Sequence, residues 1–334
     1  MDNPRPVEPQ VETAVEPESS QETPLGPPTA VEPEPASHTY SPPSSAPAVP
    51  GDNRNLVIVI AGIAVALVLV VAGVLYFQNR PLPKIMARID SGSLVVPVGT
   101  SAFDLYQQAA QDKSLSQDDI AKIAAKALPL IEGQGNREIQ EFHDTSKISS
   151  DEEWENLRRM FQWATMLRPG NPDYRAKMSY TQGQTRMLQS RWGDAGSAFN
   201  DAVSNGGCFS LAYNGLGRVA LRQQRKDDAE RFYRKATECD PNWAFPWQNL
   251  CALYFQMDRM ADSESACQRT LQLDNRRALA HYYMAAHYDR AKRNCDALRS
   301  YQNALQFADP SSSALPTNSI QKRIQKLSAT NQCN

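Results

Sequence analysis

The chain has few groups with which to do acid–base or metal chemistry. Its 334 residues include four histidines: His38, His143, His281 and His287. His281 and His287 stand six apart, so they do not share a helix face as a metal pair would. His281 falls on the core-facing phase of its helix. Six cysteines occur, Cys208, Cys239, Cys251, Cys267, Cys295 and Cys333, and none makes the Cys-x-x-Cys of a zinc or thioredoxin site. No Gly-x-Ser-x-Gly, phosphate loop or paired-carboxylate motif appears. Gly215-Leu216-Gly217 follows no strand and cannot cradle phosphate. The expectation is a non-enzyme without cofactor, metal or catalytic residues. An even cysteine count permits disulfides if the domain is exported, but spacing alone does not give their connectivity.

Charge and proline are distributed unevenly. Residues 1–54 hold 13 of the 23 prolines, and nine Asp/Glu against two Lys/Arg, a net charge of −7. The rest of the chain carries +5. Neither part is basic enough to bind nucleic acid. The first 54 residues repeat Glu-Pro pairs (Glu8-Pro9, Glu16-Pro17, Glu32-Pro33, Glu34-Pro35) and hold almost no large apolar residues. They read as a disordered, extended acidic spacer or docking tail, since too little surface can be buried to offset ordering entropy.

Leu56–Phe77 runs for 22 residues without a charge. At 1.5 Å per residue such a helix is about 33 Å long, the thickness of a bilayer core. A cleaved signal peptide is the competing reading, but the run is long, starts late and has no small-residue cleavage pattern after it. The reading is a single membrane-spanning helix over 55–78. Arg54 precedes it, while Arg80, Lys84 and Arg88 follow, so the positive-inside rule points to a cytoplasmic C-terminal domain. The usual arrangement of such an anchor is the reverse, and the expectation taken here is an inner-membrane, single-pass protein with an extracytoplasmic domain. Gly62 and Gly73 lie too far apart to make a close-packing pair, so dimerisation through the span has no support and the oligomeric state stays open.

Residues 79–100 read as a linker, broken by Pro81, Pro83, Gly92, Pro97 and Gly99, with Leu94-Val95-Val96 as a short extended piece. Residues 101–175 read as helices: Ser101–Gln111, a second from Ser116 through about Glu132, and a third opened by Ser150 with Glu153. In the third, Trp154, Leu157, Phe161, Ala164 and Leu167 recur at helical spacing.

From Ala176 the sequence aligns with itself every 34 residues. The columns are Gly183, Gly217, Cys251, Ala285; Ala195, Ala229, Ser263, Ala297; Phe199, Tyr233, Cys267, Tyr301; and Ala202, Ala236, Thr270, Ala304. Small residues occupy columns where paired helices must approach, and bulky ones fill the gap between them. Asp240-Pro241, Asp274-Asn275 and Asp309-Pro310 end units at one phase. The stretch 216–242 resembles the tetratricopeptide repeat family through Leu216-Gly217, Ala229, Tyr233, Ala236 and Pro241. The unit from Ala244 keeps Trp247, Leu250 and Tyr254 but departs at Ser263, Cys267 and Thr270. The unit from Ala176 has Gln182 where the family has a large aliphatic. Four repeats over 176–309 are expected. A C-terminal capping helix and tail over 310–334 follow, with Ile320, Ile324 and Leu327 inward and Lys322, Arg323 and Lys326 mostly toward water.

The fold class is all-α, a superhelix of helix-turn-helix repeats. The resemblance implies that the first helix of each pair lines a concave groove. Its inward residues here would be Lys177, Tyr180, Gln184, Asn214, Arg218, Arg222, Gln248, Ala252, Phe255, Tyr282 and Ala286. Asn, Arg, Gln and aromatics together suit an extended peptide or a partner helix. The expected function is a membrane-anchored protein-binding scaffold whose partner is a protein or peptide. The alternative is a membrane-linked sensor signalling through the acidic tail. An enzyme would need a site in residues 93–145, where Asp104, Asp118, Asp119 and Glu132 are the candidate carboxylates.

Overall fold

The computed structural model describes residues 54–145, 150–309 and 315–329, so the acidic segment 1–53 and Cys333 lie outside the described residues. Among the described residues there are fourteen helices and no strand. The chain divides into two units, Met1–Ile63 and Ala64–Asn334, and the packed helix pairs below all belong to the second.

Helix α1 (Arg54–Asn79) contains Ile58–Tyr76, whose mean hydropathy of 3.1 goes with side chains exposed on every face. By length and composition this helix can cross a membrane, a test that a signal sequence also passes.

The expected linker is largely folded. Helix α2 (Pro81–Asp90) occupies it, because both prolines fall in the first turn, where a backbone N–H has no helical partner to lose. Ile85 and Ile89, one turn apart, are buried, and so are Leu94 and Val95 beyond the helix. The backbone there is held by Ala102 N–H to Ser93 O (2.9 Å) and Phe103 N–H to Leu94 O (3.0 Å). Helix α3 (Ala102–Gln111) starts at a Ser101–Asp104 capping box and α5 (Asp151–Leu167) at a Ser150–Glu153 box. Between them α4 (Gln117–Thr145) does not stop near Glu132 but runs on for 29 residues, about 43 Å. Gly133 and Gly135 look like breakers in sequence. Gly135 is instead a contact point, since a Cβ there would meet the Phe161 ring of α5 at 2.7 Å.

Four helix pairs follow: α6 (Pro172–Leu188) with α7 (Trp192–Gly206), α8 (Ser210–Arg222) with α9 (Lys226–Cys239), α10 (Ala244–Gln256) with α11 (Met260–Leu273), and α12 (Ala278–Arg290) with α13 (Asn294–Gln306). Each pair closes on one contact between residues 16 apart. In the first two pairs a glycine faces an aromatic ring: a Cβ at Gly183 would reach Phe199 at 2.5 Å, and one at Gly217 would run into Tyr233. In the fourth pair Ala285 and Tyr301 hold these positions, both buried. In the third the two positions are Cys251 and Cys267, joined as a disulfide with Cα atoms 5.0 Å apart. The departure at Cys267 is therefore explained together with Cys251: a covalent bond replaces a small-residue/ring contact.

The turns inside the pairs repeat as well. Ser190, Gln224, Asp258 and Lys292, each 34 residues after the last, adopt φ of 56°, 60°, 58° and 55°. The next residue in each case is an arginine whose N–H returns to the carbonyl five residues back, as in Arg225 to Ala220 (2.9 Å) and Arg293 to Tyr288 (2.8 Å). These arginines (Arg191, Arg225, Arg259, Arg293) pair with Asp194, Asp228, Asp262 and Asp296. A left-handed residue other than glycine is strained. Changing Gln224 and Lys292 together to glycine is expected to raise stability by about 0.5–1 kcal/mol per site, after the entropy glycine adds to the unfolded chain. Thermal denaturation followed by circular dichroism should show a higher midpoint; a lower one would mean that the turn tolerates side chains at no cost.

Helix α14 (Thr317–Ser328) caps the stack, with Ile320 and Leu327 buried. Arg323, expected to face water, instead reaches back to Asp289 with both nitrogens (2.7 and 2.6 Å), and Tyr301 donates to the same carboxylate at 3.0 Å.

Candidate binding groove

Successive first helices approach each other, α6 with α8 and α10 with α12, more closely than successive second helices do. The row α6, α8, α10, α12 is therefore the candidate binding face. Of the eleven residues expected to line it, the structure keeps some accessible, buries others and leaves Ala252 and Ala286 half-buried.

Tyr180, Gln184, Asn214 and Gln248 are buried and do not present a surface, which corrects the sequence expectation. Tyr180 is enclosed by Trp154 (rings 5.8 Å apart, edge-on) and Phe209 (5.2 Å), and its hydroxyl accepts from Gln184 Nε2 at 2.7 Å. Burial pushes the Tyr180 pKa up. Asn214 accepts from Asn249 Nδ2 at 2.8 Å, a bridge from α8 to α10. The helical period puts these residues on one face, but neighbouring helices cover its flanks. Lys177 is engaged too: its ammonium reaches Asp173 (2.6 Å) and Asn136 of α4 (2.8 Å) and lies 5.8 Å from the Phe161 ring centre.

Arg218, Arg222, Phe255 and Tyr282 remain at the surface of the row. Arg218 is exposed, yet the crowded inner face lowers its pKa through lost hydration, with a further push from Arg222 one turn away. Among the described residues it has no hydrogen bond or ion pair. The Arg222 guanidinium lies 5.3 Å from the centre of Trp192. Phe255 packs on Tyr283 (5.1 Å) and under Arg290 (5.1 Å), and Tyr282 adjoins Tyr283 (5.2 Å). Burial raises the Tyr283 pKa to about 12, so the cluster is neutral. Trp192, Tyr283 and Arg290 were missed in the sequence. Arg290 was legible, for it shares a 34-residue column with Arg222.

One rim of the row is tied down. From Glu132 to His143, α4 runs past the start of α6 to the start of α10: Tyr174 donates to Glu132, Lys177 to Asn136, and His143 Nε2 meets Asp240 at 3.0 Å. Trp243 Nε1 donates to the His143 carbonyl at 2.9 Å, and the two rings stack at 4.9 Å. A second disulfide, Cys208–Cys239, joins the turn before α8 to the end of α9. The inner face of the first three units is thus braced by contacts within the chain.

The four candidate carboxylates Asp104, Asp118, Asp119 and Glu132 have structural partners. Burial alone would raise the Asp104 pKa, but hydrogen bonds from Ser101 and Arg159 win and hold it below the usual range. Asp118 pairs with Lys122, Asp119 caps α4 against Ser116, and Glu132 accepts from Tyr174. His281, expected in the core, is half-buried and stacks on Phe307 (5.7 Å); the buried histidine is His287, 3.0 Å from Ser263 Oγ, whose pKa burial lowers.

Residues 210–243 match the tetratricopeptide repeat family, and this unit, α8 with α9, is a tetratricopeptide repeat. No curated protein matches the sequence. Among solved structures, the chain is similar to the pilF protein of Pseudomonas aeruginosa at 13% identity and a TM-score of 0.46, over 62% of this chain and 91% of that one. It is also similar to a thermophilic tetratricopeptide protein of Thermus thermophilus at 16% identity and a TM-score of 0.39, over 53% and 91%. A third is YrrB, described as having an unusual peptide-binding site, at 15% identity and a TM-score of 0.41, over 68% and 98%. At these scores the likenesses say nothing of what this chain binds.

Proposed function

We propose that this chain is a membrane-anchored scaffold that holds a partner protein on the inner row of its repeats, with the repeat domain outside the cytoplasm. The observation that carries the binding reading is a braced helical row bearing two exposed, unpaired arginines beside half-buried aromatics. A solvated face has no need of stacked Trp192 and Arg222 or of a Phe255–Tyr283–Tyr282 cluster. Helix α1 is the anchor in this reading.

Export is supported by cysteine chemistry. Cys208–Cys239 and Cys251–Cys267 are disulfides, Cys295 is disulfide-bonded too, and bonds of this kind persist in oxidising compartments. This outweighs the three-to-one charge bias of Arg80, Lys84 and Arg88 over Arg54. An alkaline phosphatase fused after Asn334 is expected to be active, and the intact chain to stay in the membrane pellet after alkaline carbonate washing. A silent but stably expressed fusion would place the domain in the cytoplasm, and release from the pellet would remove the anchor. Removing residues 1–50 should leave partner capture unchanged; loss of capture would favour signalling through the acidic segment.

A further inference from the structure

The repeat domain is rich in arginines, and many of those near the helix turns hold a carboxylate. Arg191, Arg225, Arg259 and Arg293 each hold the aspartate three residues on; Glu230 receives Arg234 and Arg259; Asp258 receives Arg290; Asp289 receives Arg323. Among the described residues, Arg175, Arg269, Arg276 and Arg299 have no carboxylate either but stand singly, whereas Arg218 and Arg222 form a pair. They are four residues apart on one face of α8, both exposed, and neither meets a carboxylate. Two like charges one turn apart weaken a helix. Arg218 also gives up hydration on the crowded inner face without a counter-ion in return. What lies nearby is neutral: the Tyr180 and Tyr233 hydroxyls, whose pKa values burial raises. Arg222 is oriented by the Trp192 ring. Guanidinium groups match carboxylates in a two-pronged geometry.

We infer that the partner is recognised through an acidic segment, its carboxylates on Arg218 and Arg222 and an apolar side chain on the Phe255–Tyr283–Tyr282 cluster. This rests on the groove reading above. From α8 to α12 is two inter-helix steps of about 10 Å each. An extended strand of partner covers that distance in about six residues. The segment is therefore a pair of acidic residues with aromatic or large aliphatic residues about six positions away.

The test uses the full chain in detergent micelles and a fluorescein-labelled 12-residue peptide carrying Glu-Glu and, six positions on, Phe-Phe. A second peptide has Gln-Gln in place of Glu-Glu. Fluorescence anisotropy should show the acidic peptide binding at least tenfold more tightly, with affinity falling as salt rises. Arg218→Gln with Arg222→Gln should abolish the difference without lowering the thermal midpoint, while Arg299→Gln, an exposed arginine on α13, should leave it intact. Equal binding of both peptides, no binding of either, or tighter binding of a single-stranded oligonucleotide would overturn the acidic-segment inference. Phe255→Ala separates the two readings: if it weakens peptide binding while the arginine variant does not, the groove stands and the acidic preference falls; if neither matters, both fall.

Discussion

Dithiothreitol lowers the stability of the repeat domain by about 6 kcal/mol or more, and the reduced protein no longer melts as the oxidised one does. The estimate follows from loop closure in the unfolded chain. The Cys251–Cys267 bond closes 16 residues and the Cys208–Cys239 bond 31, worth about 3 and 3.7 kcal/mol respectively. Whole domains are stable by about 5–15 kcal/mol, so this loss is a large share. The effect should not be shared evenly. Cys251 and Cys267 stand where the other units have a small residue against a ring, so breaking their bond leaves the third pair without a space-filling partner. Cys267→Ala alone should therefore cost about 3 kcal/mol. Chemical denaturation with and without reductant measures both, and unchanged midpoints after complete reduction, verified by thiol titration, would show that the bonds do not hold the fold.

Gly217→Val destabilises the domain by about 3 kcal/mol, at the upper end for overpacking, because nothing around the site can give way. The added carbons run into the Tyr233 ring, which is itself buried and shares the second unit's core with Ala220 and Ala229. The same register makes a constructive prediction. Since Gly217 and Tyr233 are the second-unit counterparts of Cys251 and Cys267, changing both to cysteine should form a new disulfide without reductant. A gel shift on thiol labelling reads it out. Two free thiols in a folded protein would mean that the pairs are not equivalent, and the 34-residue frame would fail at its most informative column. Valine at 217 with an unchanged denaturation curve would show the same.

Several features of this chain are matters of local pattern, and the sequence alone determined them. The repeat phase rests on residues 34 apart that recur in type, and each such contact lies within one helix pair. The caps at Ser101, Ser116 and Ser150 depend on a residue three positions on. The apolar stretch in α1 depends on nothing outside itself. The cysteine pair at 251 and 267 was also within reach, since its spacing equals that of Gly217 and Tyr233, but its meaning required knowing that those two residues touch.

Only the tertiary structure decided the rest, because it turns on what covers a given face. Tyr180, Gln184, Asn214 and Gln248 share the helix phase of Arg218, yet Phe209, Asn249 and other neighbours close over that flank while Arg218 stays open. Prolines 81 and 83 and glycines 133 and 135 carry breaker signals that are real in isolation. The prolines fall in the first turn of α2, where they break nothing, and the fit of Phe161 against Gly135 outweighs glycine's local preference of about 1 kcal/mol. The course of α4 along the repeats hangs on His143 meeting Asp240 and Trp243 about a hundred residues later, a contact with no periodicity to announce it.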